Sequence, residues 1–558
     1  MFSASLLTLI TSLSTALAAR GAFLEQVGNS TWVIGNNLWN LTQGPVYGTK
    51  LYYQGYDAVG TAVGHYVGVD GENNFQFTSA SIVSEGDDYI DVAFSATQGD
   101  FHWVIYDDLA GAYQYFVNRA LPDLSILRSL WRLDPQRFLN GRTYLKDEPL
   151  PDYSLYANAT KVQDETWQLA NGTFITKYDF STPVRGRDFN GVYGPNTGSW
   201  YIHPSYEYYS GNHLAQTLTV HRESATGDAV QLNVVQDTSH FQIGVKTTQP
   251  VGKTWGPWLW YLNDGSKDDA AARTQQEKAS FPYSFLNDTA YQTRGSLTGR
   301  LTLSDGRPAS GAAIYIGDVD TTIRPLAQGV GYRYTTYASE DGSFELKDVR
   351  TGSYGLYAWS NGGEIGDVYT NFTQTPVVVS AEEETALGSL DWTVPSNKQI
   401  FQVGEFSKNA TGFKNSGPYR HGLAEKSPSN FTFIVGESKT EDWYYAQSNL
   451  GTWSIAFDIP EVTNRTALLT VSLAGYSQST SLVISANGNN LGSLNKDTLA
   501  SDPAVYRSGT VSGEWRLFQY EIAPGLLKTG RNSIDFTVDR YVLWRGFLWD
   551  SIILEWQS

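Results

Sequence analysis

Apolar and polar positions alternate with a period of two along most of the chain from about Gly21 to Leu286. Segments such as Tyr89-Ile90-Asp91-Val92-Ala93-Phe94 and Phe101-His102-Trp103-Val104-Ile105-Tyr106 read as strands, with Asp70-Gly71 and Gly86-Asp87-Asp88 as turns between them. A period of two puts successive side chains on opposite faces of a sheet, so the long run of such segments predicts one large β-sandwich. The rhythm breaks over Asp268 to Ala279, where Ala270-Ala271-Ala272 and Gln275-Gln276-Glu277-Lys278 predict a short helix.

Two further units follow. Gly295-Ser296-Leu297-Thr298-Gly299-Arg300-Leu301, Ser339-Glu340-Asp341-Gly342-Ser343-Phe344 and Gly352-Ser353-Tyr354-Gly355-Leu356-Tyr357 give the strand and turn pattern of a fibronectin III or immunoglobulin-like sandwich, expected to be a spacer. Past Pro395-Ser396-Asn397-Lys398, strands from Ile400-Phe401-Gln402-Val403 to Trp549-Asp550-Ser551-Ile552-Ile553-Leu554 suggest a jelly roll of carbohydrate-binding type. The expected divisions are 1–18, 19–293, 294–396 and 397–558, all β after the first.

The first division is a signal peptide by pattern: Leu6-Leu7-Thr8-Leu9-Ile10 leads to Ala16-Leu17-Ala18, the small-x-small form of a cleavage site. No later run reaches the ~18 continuous apolar residues of a membrane span. Asn-x-Ser/Thr sequons at Asn29, Asn40, Asn158, Asn171, Asn287, Asn371, Asn409, Asn430 and Asn464 add the expectation of a secreted, extracellular glycoprotein. The absence of cysteine removes disulfides, thiol nucleophiles and Cys-based metal sites together.

A net charge of −18 argues against nucleic acid or an anionic membrane as partner, and an acidic substrate would need a local basic groove. The 17 Trp and 35 Tyr suit both sugar-stacking platforms and ordinary cores. Protease, esterase and nucleotide motifs are missing. Histidine numbers only seven, and His203, His213, His221 and His240 fall in one stretch shortly after Lys177, Arg185 and Arg187. His65 and His102 read as structural. Carboxylates such as Asp164, Glu165, Asp179 and Glu207 are available for a glycosidase pair, whose spacing the sequence leaves open.

The stretch Trp200-Tyr201-Ile202-His203-Pro204-Ser205-Tyr206-Glu207-Tyr208-Tyr209-Ser210-Gly211, with Gly256-Pro257-Trp258-Leu259-Trp260-Tyr261, resembles the rhamnogalacturonan lyases of polysaccharide lyase family 4. Ile400 to Phe406 with Thr411-Gly412-Phe413-Lys414-Asn415 looks like the opening of that family's C-terminal domain. The resemblance spans all three units in order. It implies a catalytic galactose-mutarotase-like supersandwich, a fibronectin III-like domain and a carbohydrate-binding-like jelly roll. The reaction it implies is β-elimination at the rhamnose-α-1,4-galacturonate bond of rhamnogalacturonan I, a pectic polysaccharide, leaving a 4,5-unsaturated galacturonate.

Carried over by motif, Lys177 in Thr176-Lys177-Tyr178 and His240 in Thr238-Ser239-His240-Phe241 match the catalytic pair, with either one as base. Arg128 and Arg132 match the substrate arginines, and Glu207 the Glu of a Tyr-Glu-x-x-Ser-Gly motif. Removing the C5 proton builds charge on an anion, so a cation must first sit on the uronate carboxylate, a task for the guanidinium forks of Arg128 and Arg132. Arg185 and Arg187 are expected to join substrate binding and to lower the Lys177 pKa by their charge. Asn233 and Val235 depart from the tyrosines of the family pattern. No cofactor is required and no metal ligand is assigned, a structural calcium ion in the jelly roll is compatible with the resemblance, and a monomer is expected. Two other readings stand beside the lyase: a glycoside hydrolase using Glu207 with a second carboxylate, and a non-catalytic polysaccharide-binding protein.

Overall fold

A computed structural model describes residues 21–69, 73–123, 126–237, 247–417, 426–477, 479–499, 513–543 and 545–558. Its first unit is two large antiparallel sheets. Four strands of one, Phe23–Gly28, Thr31–Gly35, Trp39–Gln43 and Gly48–Tyr53, run as a meander into β1 (Gly64–Val69). Next come β2 (Ile126–Leu133), β4 (Ala229–Asp237) and, at the far edge, β3 (Val220–Arg222). The second sheet centres on Thr254–Asn263, between Gly111–Asn118 and Thr197–Ile202.

Aromatic residues fill the space between the sheets. The Trp131 and Trp260 rings stack at 4.6 Å, and Trp39 and Trp103 meet Trp260 edge-on at 5.2 and 5.8 Å. These rings carry core packing, and sugar has no access to them. His65 belongs to this layer: its Nε2 lies 3.0 Å from Ser129 Oγ and its ring packs against Trp103 and Trp131. Burial empties it of charge, to a pKa of about 3.

The middle of the second sheet is buried on both faces, which explains why Thr254–Asn263 reads as a nearly unbroken apolar run. Its outer face is covered by α1 (Lys267–Ser280), one residue longer at each end than the expected helix. Ser266 caps α1 by accepting the Asp269 amide at 3.1 Å, and Asp268 and Asp269 face the positive end of its dipole. Ala270 packs with Leu259, Trp200 and Tyr283 in a core separate from the first.

The second unit pairs a three-stranded and a four-stranded sheet, from Arg294–Leu303 to Glu384–Trp392, around Leu301, Ile316, Leu356 and Trp392. The third packs two five-stranded sheets, from Lys398–Gly404 to Phe547–Trp556, around Trp443, Trp453 and Trp549. No helix among the described residues is long and apolar enough to cross a membrane.

Candidate active site

The period of two that sends Trp131 inward turns Arg128, Leu130 and Arg132 to the opposite face of β2. Register then sets their neighbours. Arg128 lies opposite Gly68 of β1 and Val234 of β4, Leu130 opposite Tyr66 and Leu232, and Arg132 opposite Gly64 and Val230. Glycines beside both arginines leave lateral room for guanidinium groups. Gly64 has no alternative, since its φ of +90° is left-handed and a Cβ there would stand 1.9 Å from the Gly48 carbonyl oxygen.

Lys177 reaches the same cleft from a separate segment. It opens a 3₁₀ turn, Lys177–Phe180, whose preceding Thr176 accepts the Tyr178 amide through its hydroxyl at 3.2 Å. Tyr178 and Phe180 are buried beneath it, and the Tyr178 hydroxyl donates to Asp164 Oδ2 at 2.6 Å. The Lys177 amine lies over the Tyr178 ring, 5.2 Å from its centre. Arg128, Arg132, Lys177, Tyr66, His221 and Glu223 thus line one cavity of about 70 Å³, walled by Val230, Leu232 and Val234.

Charge in the cleft is ordered around Glu223. Arg132 Nη2 stands 3.1 Å from Glu223 Oε2, Arg132 Nη1 3.6 Å from Asp228, and His221 Nε2 3.8 Å from Glu223, the last too long for a hydrogen bond. Burial works against the Arg132 charge, but Tyr66, Glu223 and Asp228 outweigh it and hold its pKa above the usual value. Burial pushes His221 down despite Glu223, with Lys177 and Arg132 adding to the effect, so its imidazole is neutral near pH 7. Its Nδ1 has no hydrogen-bond partner among the described residues.

The neighbours His221, Arg132 and Lys177 hold the Glu223 carboxyl at about 2, and Arg132 at 3.1 Å is its direct partner. A folded pKa below the ordinary 4.5 means stability that is present above pH 4.5 and lost as pH falls through about 2. Glu223→Gln is therefore expected to lower the melting temperature at pH 6 and to have a much smaller effect at pH 2, where the carboxyl is already half protonated. An equal loss at both pH values in scanning calorimetry would assign the effect to packing instead.

The other expected site residues lie elsewhere. Glu207 is buried, taking Arg294 bidentately at 2.8 and 3.1 Å, Arg350 Nε at 2.8 Å and the Tyr334 hydroxyl at 2.9 Å. Burial alone would raise its carboxyl, but Arg350 and Arg294 hold it below the usual range. A carboxylate whose oxygens are saturated by the second unit is a clamp between domains, which corrects its expected roles in substrate binding and in a glycosidase pair. Arg185 is corrected in the same way: it is buried and donates to the carbonyls of Asn212 and Tyr209 at 3.0 and 3.4 Å. Arg187 is buried over the Tyr206 and Tyr209 rings, its Nε donating to the Val184 carbonyl at 3.0 Å. The charges beside Lys177 in the cleft are instead Arg128 and Arg132.

The histidine cluster separates in space. His203 Nε2 meets Asn233 and Tyr209 inside the sandwich, His213 faces the second unit through the Thr336 carbonyl at 2.9 Å, and His221 enters the cleft. His240 and the expected leader at 1–18 lie outside the described residues. Asn233 pairs with Ser129 on the inner face of β4, so the cleft wall at this level is aliphatic. Sequence reasoning passed over Glu223, Tyr66 and the two glycines, although Gly64-His65-Tyr66-Val67-Gly68 carries the alternation that exposes them. Among the described residues no group of three or more His, Asp and Glu side chains is placed to hold a metal ion.

A cleft with two arginines and a lysine on the face of a large β-sandwich, followed by two smaller sandwiches, defines a modular enzyme for an acidic ligand. Residues 304–387 match the family model for polysaccharide lyase family 4, domain II, and residues 399–554 that for polysaccharide lyase family 4, domain III. The chain is 30% identical to the rhamnogalacturonate lyase of Dickeya dadantii over 83% of its own length and 81% of that protein. It is 22% identical to the rhamnogalacturonate lyase A of Emericella nidulans over 88% and 85% of the two chains. To the probable rhamnogalacturonate lyase B of Aspergillus terreus it is 22% identical, over 74% and 69%. The chain belongs to the rhamnogalacturonate lyases of polysaccharide lyase family 4, and is a polysaccharide lyase.

Proposed function

We propose that the enzyme is a secreted endolyase that cleaves the rhamnose-α-1,4-galacturonate bond of the pectic polysaccharide rhamnogalacturonan I. The observation that carries this reading is the convergence of Arg128, Arg132 and Lys177, from two separate segments, on one cleft. In the proposed reaction Arg128 and Arg132 take the galacturonate carboxylate and stabilise the charge that develops as C5 loses its proton. Lys177 Nζ accepts that proton, the C5 electron pair forms the C4–C5 double bond, and the C4–oxygen bond breaks. His240 gives a proton to the departing rhamnosyl oxygen.

The base must be neutral to act. Arg128 and Arg132 are the cations that share the cleft with Lys177, and Glu223 is the carboxylate that shares it. No water is consumed, which separates elimination from hydrolysis. Incubation with rhamnogalacturonan I is expected to raise ultraviolet absorbance from the conjugated uronate in step with new reducing ends. New reducing ends with a flat absorbance trace would make the enzyme a hydrolase.

A further inference from the structure

A second cavity, of about 190 Å³, opens where all three units meet. Asn212 comes from the first unit, Tyr357, Asn371 and Phe372 from the second, and Lys408 and Trp515 from the third. Its lining is mainly apolar, with a few polar groups converging on it, the composition of a small-molecule site.

The polar groups are fixed. Lys408 Nζ sits between two indoles, 4.7 Å from the centre of Trp359 and 4.1 Å from that of Trp515, and donates to Asn371 Oδ1 at 2.8 Å. The Lys408 backbone is held at φ +61°, a left-handed conformation that few non-glycine residues adopt. Trp515 Nε1 donates to Ser472 Oγ at 2.8 Å, and Ser472 donates to Asp550 Oδ2 at 2.5 Å. Asp550 Oδ1 accepts the Ser407 amide at 2.9 Å, tying the network to the residue before Lys408. Ring, amine and backbone are therefore oriented before any ligand arrives. Arg324, at the rim, pairs with Glu514.

We propose that this junction pocket is a second saccharide site, which takes a hexuronate residue with its carboxylate on Lys408 and its ring against Trp515 and Phe372. An indole or phenyl face suits the C–H face of a pyranose, and the amides of Asn371 and Asn212 suit its hydroxyls. The charge argues for an acidic sugar over a neutral one. Burial pulls Lys408 down to about 7 and pushes Asp550 up to about 6, so the enclosed amine is short of counter-charge that a bound carboxylate would supply. The ligand class is read from the pocket and stands apart from the lyase reading.

The test is calorimetric titration of digalacturonate into the full chain carrying Arg128→Ala, which weakens the cleft and isolates the junction. One saturable site is expected, with proton uptake near pH 7 detected by repeating the titration in buffers of different ionisation enthalpy. Lys408→Met, which keeps the stem between the indoles, should weaken binding at least tenfold, and a neutral galactose disaccharide should bind at least tenfold more weakly. In the unmutated enzyme, digalacturonate should protect Lys408 from acetylation as read by mass spectrometry, a result independent of how any variant folds. The proposal is overturned by absence of saturable binding in the Arg128→Ala chain, by equal affinity for the neutral sugar, or by an unprotected Lys408. Binding seen only after removal of a glycan from the Asn371 sequon would assign the pocket to that glycan and also overturn it. None of these readouts uses cleavage, so this site and the lyase fail separately.

Discussion

Lys177→Met is expected to slow formation of the unsaturated product from rhamnogalacturonan I by about 10²–10⁴-fold, the contribution of a positioned acid–base group. Methionine keeps the aliphatic stem and removes only the amine. The turn that presents residue 177 depends on the Thr176 cap and on buried Tyr178 and Phe180, so the fold and melting temperature should be unaffected. On the proposed reading Arg128 and Arg132 still hold the carboxylate, so the loss should fall on kcat and leave KM within a few-fold. Initial rates over a range of polymer concentrations separate the two. A variant with near-normal kcat would remove Lys177 from the chemistry.

Glu207→Ala should be severe in a different way. Arg294 and Arg350 are both buried against Glu207, and deleting the carboxylate strands two enclosed guanidinium groups. Removing one partner of a buried ion pair costs about 3–5 kcal/mol, and here one carboxylate serves two cations. The loss should appear as a large fall in melting temperature and as loosening of the junction between the first and second units, visible as faster proteolysis near Thr293. Its pH dependence is fixed in sign: the folded carboxyl lies below the ordinary 4.5, so the stabilisation is complete above that pH and is lost as pH falls through the folded value. The gap between wild type and Glu207→Ala should therefore narrow in strong acid, leaving the packing loss of the truncated side chain. An unchanged melting temperature at pH 7 would contradict the clamp.

Local periodicity made the strands, the short helix and the order of three β units legible, because a period of two and an alanine-rich break are properties of neighbouring residues. Arg128 and Arg132 came from the resemblance to the family motif, and their four-residue spacing places them on one face once the segment is a strand. Long-range pairing was not legible. Glu207 sits in a tyrosine-rich motif that resembles a ligand site, yet its partners Arg294 and Arg350 are 87 and 143 residues away and converge on it only through packing of the second unit. Arg185 and Arg187, close to Lys177 in the chain, turn away from it, Arg185 to the carbonyls of Asn212 and Tyr209 and Arg187 to that of Val184. His221 stood out only as one of several histidines until β3 placed it beside Glu223. The wealth of Trp pointed as readily to sugar platforms as to the core that Trp39, Trp103, Trp131 and Trp260 form.

The central claim is that the cleft between β2 and the Lys177 turn holds the uronate at the bond to be cut. A crystal structure of the Lys177→Met enzyme soaked with a rhamnogalacturonan I oligosaccharide tests it most directly. The expected result is a galacturonate carboxylate on Arg128 and Arg132, with C5 facing residue 177. An oligosaccharide that occupies other surfaces and leaves this cleft empty would contradict it.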